Sequence, residues 1–160
     1  MKYLKYLLTA HTAYNLHSPY VFHFYNEIIN SKIDKHIMHP PLHKWEQVIY
    51  KIANTFCPKN IYIADNVPHP RVEQILREAT GSTPCYTKTE GANMVISQTM
   101  PHNVPLGQGA IVILYHPQNN TDELRKMRDD DDFTISIDLY HIAIGMYRLS
   151  HLSKQHFVLR

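Results

Sequence analysis

An α/β fold is predicted by three observations in the amino-acid sequence. Residues 61–64 form a short apolar run flanked by stretches of helical periodicity, and residues 110–115 form a second run that again leads into a helix. The chain then closes on strict alternation, with Phe133, Ile135, Ile137 and Leu139 followed by Ile142, Ile144 and Met146. Strands alternating with helices build a parallel sheet covered on both faces, and period-two alternation marks strand rather than helix.

Each element has its own local reason. Leu4, Leu7 and Leu8 recur at helical spacing, which opens the chain with a helix. Ser18 followed by Pro19 starts a second, because proline at the first helical position gives up no hydrogen bond and the serine hydroxyl accepts from a first-turn amide. Its apolar face is Val21, Phe24, Tyr25, Ile28 and Ile29. After a loop at Pro40 and Pro41, the residues Trp45, Val48, Ile49, Ile52, Ala53 and Phe56 trace a buried stripe that stops before Pro58. The run Ile61, Tyr62, Ile63, Ala64 ends in Asp65, and a helix with Val72, Ile75, Leu76 and Ala79 on one face follows, opened by Pro70 and closed by Gly81. Between residues 80 and 108 the punctuation by Gly, Pro, Thr and Asn leaves room only for short strands at 85–87 and 94–97. The strand at 110–115 precedes a half-exposed helix that Asn120 and Glu123 would cap as a capping box. A last strand is expected within 156–159, with the closing strands antiparallel. The acidic run 129–132 reads as a solvated turn, since calcium needs spaced oxygen ligands rather than four consecutive carboxylates.

Composition excludes several classes. With 160 residues, 44% hydrophobic and 19% charged, the chain has the size of one compact domain, large enough to fold without disulfides or a structural metal. Cys57 and Cys85 form no Cys-x-x-Cys pair and are expected as plain buried or half-buried thiols in a reducing, cytoplasmic setting. A net charge of +2 gives no field for nucleic acid or an anionic membrane, although protonation of the twelve histidines would change that below about pH 6.5. No signal peptide and no membrane span is expected. His36, His39 and His43 have ligand-like spacing, but Pro40 and Pro41 interrupt it, so they are read as loop histidines and no metal site is expected. Asp65, His69 and His116 could meet at strand ends as a carboxylate–imidazole set, but no nucleophile or oxyanion site is visible beside them, and no catalytic residue is assigned. Tyr3, Tyr6, Tyr14, Tyr20 and Tyr25 crowd the amino end, where aromatic faces would meet a partner or cap the core.

The segment His17, Ser18, Pro19, Tyr20, Val21, Phe22 resembles the His-Ser-Pro-Phe-Val-Phe signature near the start of a group of bacterial class I methyltransferases that use S-adenosylmethionine. The stretches 133–139, 145–148 and 154–160 resemble the closing strands of the same group, so that about half of the chain is covered. The resemblance implies a shortened Rossmann-like, methyltransferase-type sheet as the core over 59–160, with an N-terminal helical extension over 1–58 packed on it. At least one strand and crossover of the full core should be missing, most simply between residues 80 and 109, because only 100 residues remain from Ile61 to the end. It also implies a cofactor crevice at the strand ends, and here the chain departs from the group. The turn after the first strand reads Asp65, Asn66, Val67, Pro68, His69, Pro70, with no glycine between residues 59 and 80. Cofactor crevices of this kind need a turn whose backbone can approach the ligand closely, and proline removes amide donors. Where the group has an acidic pair after a later strand, this chain has His116 and Pro117. Asp65, Asn66, His69, Glu90, Gln98 and His116 are therefore the residues of a vestigial crevice. The expected function is non-catalytic binding without a cofactor, by a homo-oligomer or with a protein partner, because a trimmed sheet leaves an edge to cover. An active S-adenosylmethionine-dependent methyltransferase with an atypical loop is the alternative.

Overall fold

The computed structural model describes residues 2–10, 16–34, 37–81, 85–86, 91–101, 106–150 and 152–159. These residues form α1 (Lys2–Thr9), α2 (Pro19–Phe24) running into a π-helical turn (Tyr25–Ile29), α3 (Lys44–Phe56), β1 (Asn60–Ile63), α4 (His69–Thr80), β2 (Cys85–Tyr86), β3 (Met94–Ser97) and β4 (Ile111–Tyr115). A 3-10 turn (Pro117–Asn119), α5 (Thr121–Asp129), β5 (Phe133–Asp138), β6 (Ile142–Tyr147) and β7 (Gln155–Val158) complete the chain. The fold is α/β.

Local chemistry accounts for most boundaries. The Ser18 hydroxyl accepts from the Val21 amide, and Pro19 opens α2. Gly81 takes the left-handed conformation, φ 62°, and closes α4 with its N–H on the Arg77 carbonyl, a position where a Cβ would be penalised. At α3 the Glu46 carboxylate accepts from the His43 N–H at 2.8 Å, which satisfies one amide that the helix leaves without an internal partner.

The sheet has seven strands in the order β2-β1-β3-β4-β6-β5-β7. Strands β2, β1, β3 and β4 are parallel neighbours, β6 is antiparallel to both β4 and β5, and β7 is parallel to β5. The chain leaves β1 toward β2 on one side and resumes at β3 on the other, so the order reverses between β1 and β3.

Period two divides the core. Ile61, Ile63, Met94, Ile96, Ile111, Ile113, Ile135, Ile137, Ile142 and Ile144 pack on the face covered by α2, α3 and α4. Val95, Val112, Leu114, Phe133 and Ala143 pack with Met127 of α5 on the other. On that second face β6 carries Ala143 and Gly145, small enough for α5 and the Phe133 ring to approach the sheet closely.

Several expectations are corrected. The ending is not antiparallel throughout: β6 alone among the described strands opposes the others, because β7 joins the far edge beside β5. Strands β5 and β6 are buried on both faces, so their alternation reflects side-chain size as well as exposure. Leu4 and Leu8 are 65% and 81% exposed, and Tyr6 and Leu7 take the sheltered side of α1. Phe56 and Cys57 are exposed too, the latter ending α3 at φ 44° with its thiol donating to the Asn54 carbonyl. Asn120 makes no side-chain cap, since Glu123 is buried and instead accepts from the Met100 amide and pairs with Lys126. Within the acidic run Asp132 is not merely solvated; it accepts from Arg148 Nε and Nη2 and from the Tyr147 hydroxyl. No helix among the described residues is long and apolar enough to cross a membrane.

Candidate functional site

Open α/β sheets present ligand sites outside the carboxyl ends of their strands, where the strand order reverses. In this chain that place lies between the turn after β1, residues 64–68, and the turn after β3, residues 98–100.

The two turns are tied to each other. Asn66 Oδ1 accepts from the Gln98 N–H at 3.1 Å and from the Ser97 hydroxyl at 3.5 Å, and its amide nitrogen donates to Thr99 Oγ1 at 3.4 Å. The Thr99 N–H in turn donates to Ser97 Oγ at 3.1 Å. The next residue, Val67, is 6% exposed and belongs to the main core cluster, with its N–H on the Ala64 carbonyl. Asp65 points outward and is exposed.

Helix α4 begins at this turn with few amides to offer. Pro70 has no N–H, and the Arg71 and Val72 amides are both spent on the Pro68 carbonyl. His69 Nε2 lies 2.9 Å from the Ile63 carbonyl; a carbonyl only accepts, so this nitrogen carries the proton and donates it. Its Nδ1 faces Glu73 at 3.9 Å. Both ring nitrogens are thus turned toward the protein.

His116 follows β4 in a left-handed conformation, φ 54°. Gln118 bridges it to His141, with Nε2 at 3.0 Å from His116 Nδ1 and 3.3 Å from His141 Nδ1. Burial and the nearby His141 push the His116 pKa below the ordinary imidazole value. Around it the rings of Trp45, Tyr115 and His141 meet edge to face, with centroids 4.4 to 6.0 Å apart. Burial and the Glu46 charge push the Tyr115 hydroxyl up to about 12.

Of the residues singled out from sequence, Asn66 and Gln98 are brought together, as a structural bridge. His116 is not brought beside Asp65 and His69, because β3 separates β1 from β4, which sets those strand ends roughly 9–10 Å apart at about 4.8 Å per strand, and each histidine has its own partners. Glu90, His36 and Tyr14 lie outside the described residues. His39 and His43 are exposed, and among the described residues no three His, Cys, Asp or Glu side chains converge as metal ligands. Ser97, Thr99, Trp45, Gln118 and His141 were not read from sequence as site residues; Trp45 was legible only as part of a helical stripe.

Comparison with protein-family models, with curated proteins and with solved structures gives no match for this chain. The geometry at the strand ends must speak for itself.

Replacing Asn66 by alanine is expected to cost about 1 kcal/mol, the net worth of one or two partly exposed hydrogen bonds. Urea denaturation reads this directly, and an unchanged midpoint would mean that the strands alone hold the two turns together.

Proposed function

We infer that this chain is a methyltransferase-like domain, degenerate at the cofactor crevice, that acts by binding and not by methyl transfer. The observation that carries the reading is the turn after β1, where Asn66 bridges to Gln98 and Thr99 and Val67 is buried in the core. A nucleoside cofactor approaching the backbone here would meet two turns already tied to each other by side chains. Pro70 and the committed amides of Arg71 and Val72 leave the start of α4 poorly equipped to hold a carboxylate. These residues do not fit S-adenosylmethionine.

The strand order supports the relationship. A doubly wound sheet ordered 3-2-1-4-5 becomes β2-β1-β3-β4 when its outermost strand and crossover are removed, which is the order here. The strands that follow β4 close the sheet with one reversed member, in keeping with the resemblance of residues 133–139 and 145–148 to closing strands. A shared fold does not transfer activity when the site is altered.

Isothermal titration with S-adenosylmethionine and with S-adenosylhomocysteine tests the reading. No heat at concentrations that detect about millimolar binding, with an unchanged melting temperature, is the expected result. Micromolar binding would overturn it in favour of an active methyltransferase with an atypical cofactor loop.

A further inference from the structure

A second concavity lies at the same edge of the sheet, away from the β1–β3 crevice. It has a volume of about 590 Å³ and is enclosed by α1, the end of the π-helical turn, α3 and the β5–β6 turn. Small-molecule sites fall in this size range. Tyr25, Trp45 and Tyr140 contribute rings to its wall, and Lys44, Lys51 and His141 contribute nitrogen. No described residue lining it is an aspartate or glutamate.

Lys51 is the unusual member. It sits on the inward side of α3, 7% exposed, one residue before Ile52 and three after Val48, where the stripe calls for an apolar side chain. An ammonium has three donors, and the acceptor found for Lys51 among the described residues is the Ile29 carbonyl at 2.8 Å. Helix carbonyl ends favour a cation there, but one carbonyl is modest compensation for a buried charge. Burial pulls the Lys51 pKa below the ordinary lysine value. The one carboxylate of α3, Glu46, is turned away to Arg71 at 2.8 Å, so it cannot neutralise this ammonium.

The opposite wall is held in a costly backbone. Tyr140 has φ 69°, in the left-handed region that crowds a residue with a Cβ. Asp138 Oδ1 sustains it by accepting the Tyr140 N–H at 2.8 Å. The result places Tyr140 and His141 together at the mouth of the cavity, with their rings 4.9 Å apart.

We propose that this cavity is a binding site for a small aromatic carboxylate, its ring held among Trp45, Tyr25 and Tyr140 and its negative charge placed on Lys51. The anion supplies a counter-charge that no described residue gives the buried ammonium, and the rings supply apolar area for a planar body. This site is separate from the β1–β3 crevice, so it stands or falls independently of whether S-adenosylmethionine binds there.

Trp45 is the only tryptophan in the chain, so intrinsic fluorescence reports on the cavity wall. Phenylacetate, 2-phenylethanol and 2-phenylethylammonium share a ring and differ in charge. Phenylacetate is expected to saturate the signal at least about tenfold more tightly than the alcohol, and the ammonium compound to give no saturation. In Lys51→Met, which conserves length and apolar packing, phenylacetate should weaken by about tenfold or more while the alcohol keeps its affinity. Equal binding of all three probes, no saturation by about 10 mM, or phenylacetate binding unaltered in folded Lys51→Met would each overturn the proposal. If that variant does not fold, the charge series on the unaltered chain decides the matter.

Discussion

Glu46→Ala is expected to lower the unfolding free energy by about 3–5 kcal/mol, the cost of breaking a buried ion pair from one side. The Glu46 side chain is 3% exposed and receives Arg71 Nε at 2.8 Å and Nη2 at 3.0 Å, in addition to the His43 N–H. The same guanidinium reaches the Pro40 and Pro41 carbonyls and Gln74, so one carboxylate organises the start of α3, the start of α4 and the loop before them. Truncation leaves a part-buried guanidinium with its main counter-charge gone. Glu46→Gln should cost less, because it preserves shape and one acceptor. Removing both partners in Glu46→Ala with Arg71→Ala should cost less than the sum of the single changes, since no charge is left uncompensated. A loss below about 1 kcal/mol for Glu46→Ala would show that the pair behaves as a solvated surface bridge.

The pair also sets a pH dependence. Burial by itself would raise the Glu46 pKa, but the hydrogen bond from Arg71, the His43 amide and the Arg71 charge outweigh it and hold the carboxyl below its ordinary 4.5. A group that titrates lower in the folded than in the unfolded chain stabilises the fold fully above its unfolded value. Its contribution drains away as pH falls through the lower, folded value. The difference in stability between the parent chain and Glu46→Gln should therefore shrink below pH 4.5, as urea titrations at several pH values would reveal.

The second large effect is expected at Gly145. Glycine in the interior of a strand is ordinarily unfavourable, and alanine or valine should gain up to about 1 kcal/mol on propensity alone. Packing decides otherwise here: a Cβ at this position would stand 2.6 and 2.7 Å from two Phe133 ring carbons and 2.9 Å from the Met127 methyl. The Met127 terminus can swing away, but the Phe133 ring is buried against Tyr147, with centroids 5.6 Å apart, and can move only by displacing its neighbours. Overpacking of this kind costs about 1–3 kcal/mol, occasionally more, so Gly145→Ala should destabilise by about 2 kcal/mol and Gly145→Val by more. Adding Phe133→Leu to Gly145→Ala should recover part of the loss relative to the separate effects. If Gly145→Ala proves as stable as the parent, strand propensity and not ring clearance governs this position.

What was legible in the sequence was whatever is decided within a few residues. The Ser18–Pro19 start of α2, the Pro70 and Gly81 limits of α4, and β3 at Met94–Ser97 follow from caps, fixed dihedrals and short apolar runs. The absence of glycine from the turn after β1 was likewise visible as composition. The positions where expectation failed share a different property. Asn120 and Glu123 have the spacing of a capping box, yet the Glu123 carboxylate goes to an amide 23 positions away in the chain. Phe56 keeps the period of its stripe but lies at the helix end, where little is left to cover it. The last strand could be expected from its apolar residues, but its parallel place beside β5 depends on which edge was open.

The sequence by itself determined that this chain alternates helix and strand, where most of those elements begin and end, and that its first strand-end turn has no glycine. Those features arise from backbone preferences and amphipathic periods, which act over one or two turns of chain. Only the tertiary structure decided that Asn66 ties its turn to Gln98, 32 positions on, that Glu46 belongs to Arg71, 25 positions on, and that Lys51 stands buried in the wall of a cavity lined with aromatic residues. A side chain with several possible hydrogen-bond partners takes those that the packed sheet and helices bring within hydrogen-bond distance, and that choice is made by burial, not by neighbourhood in the chain.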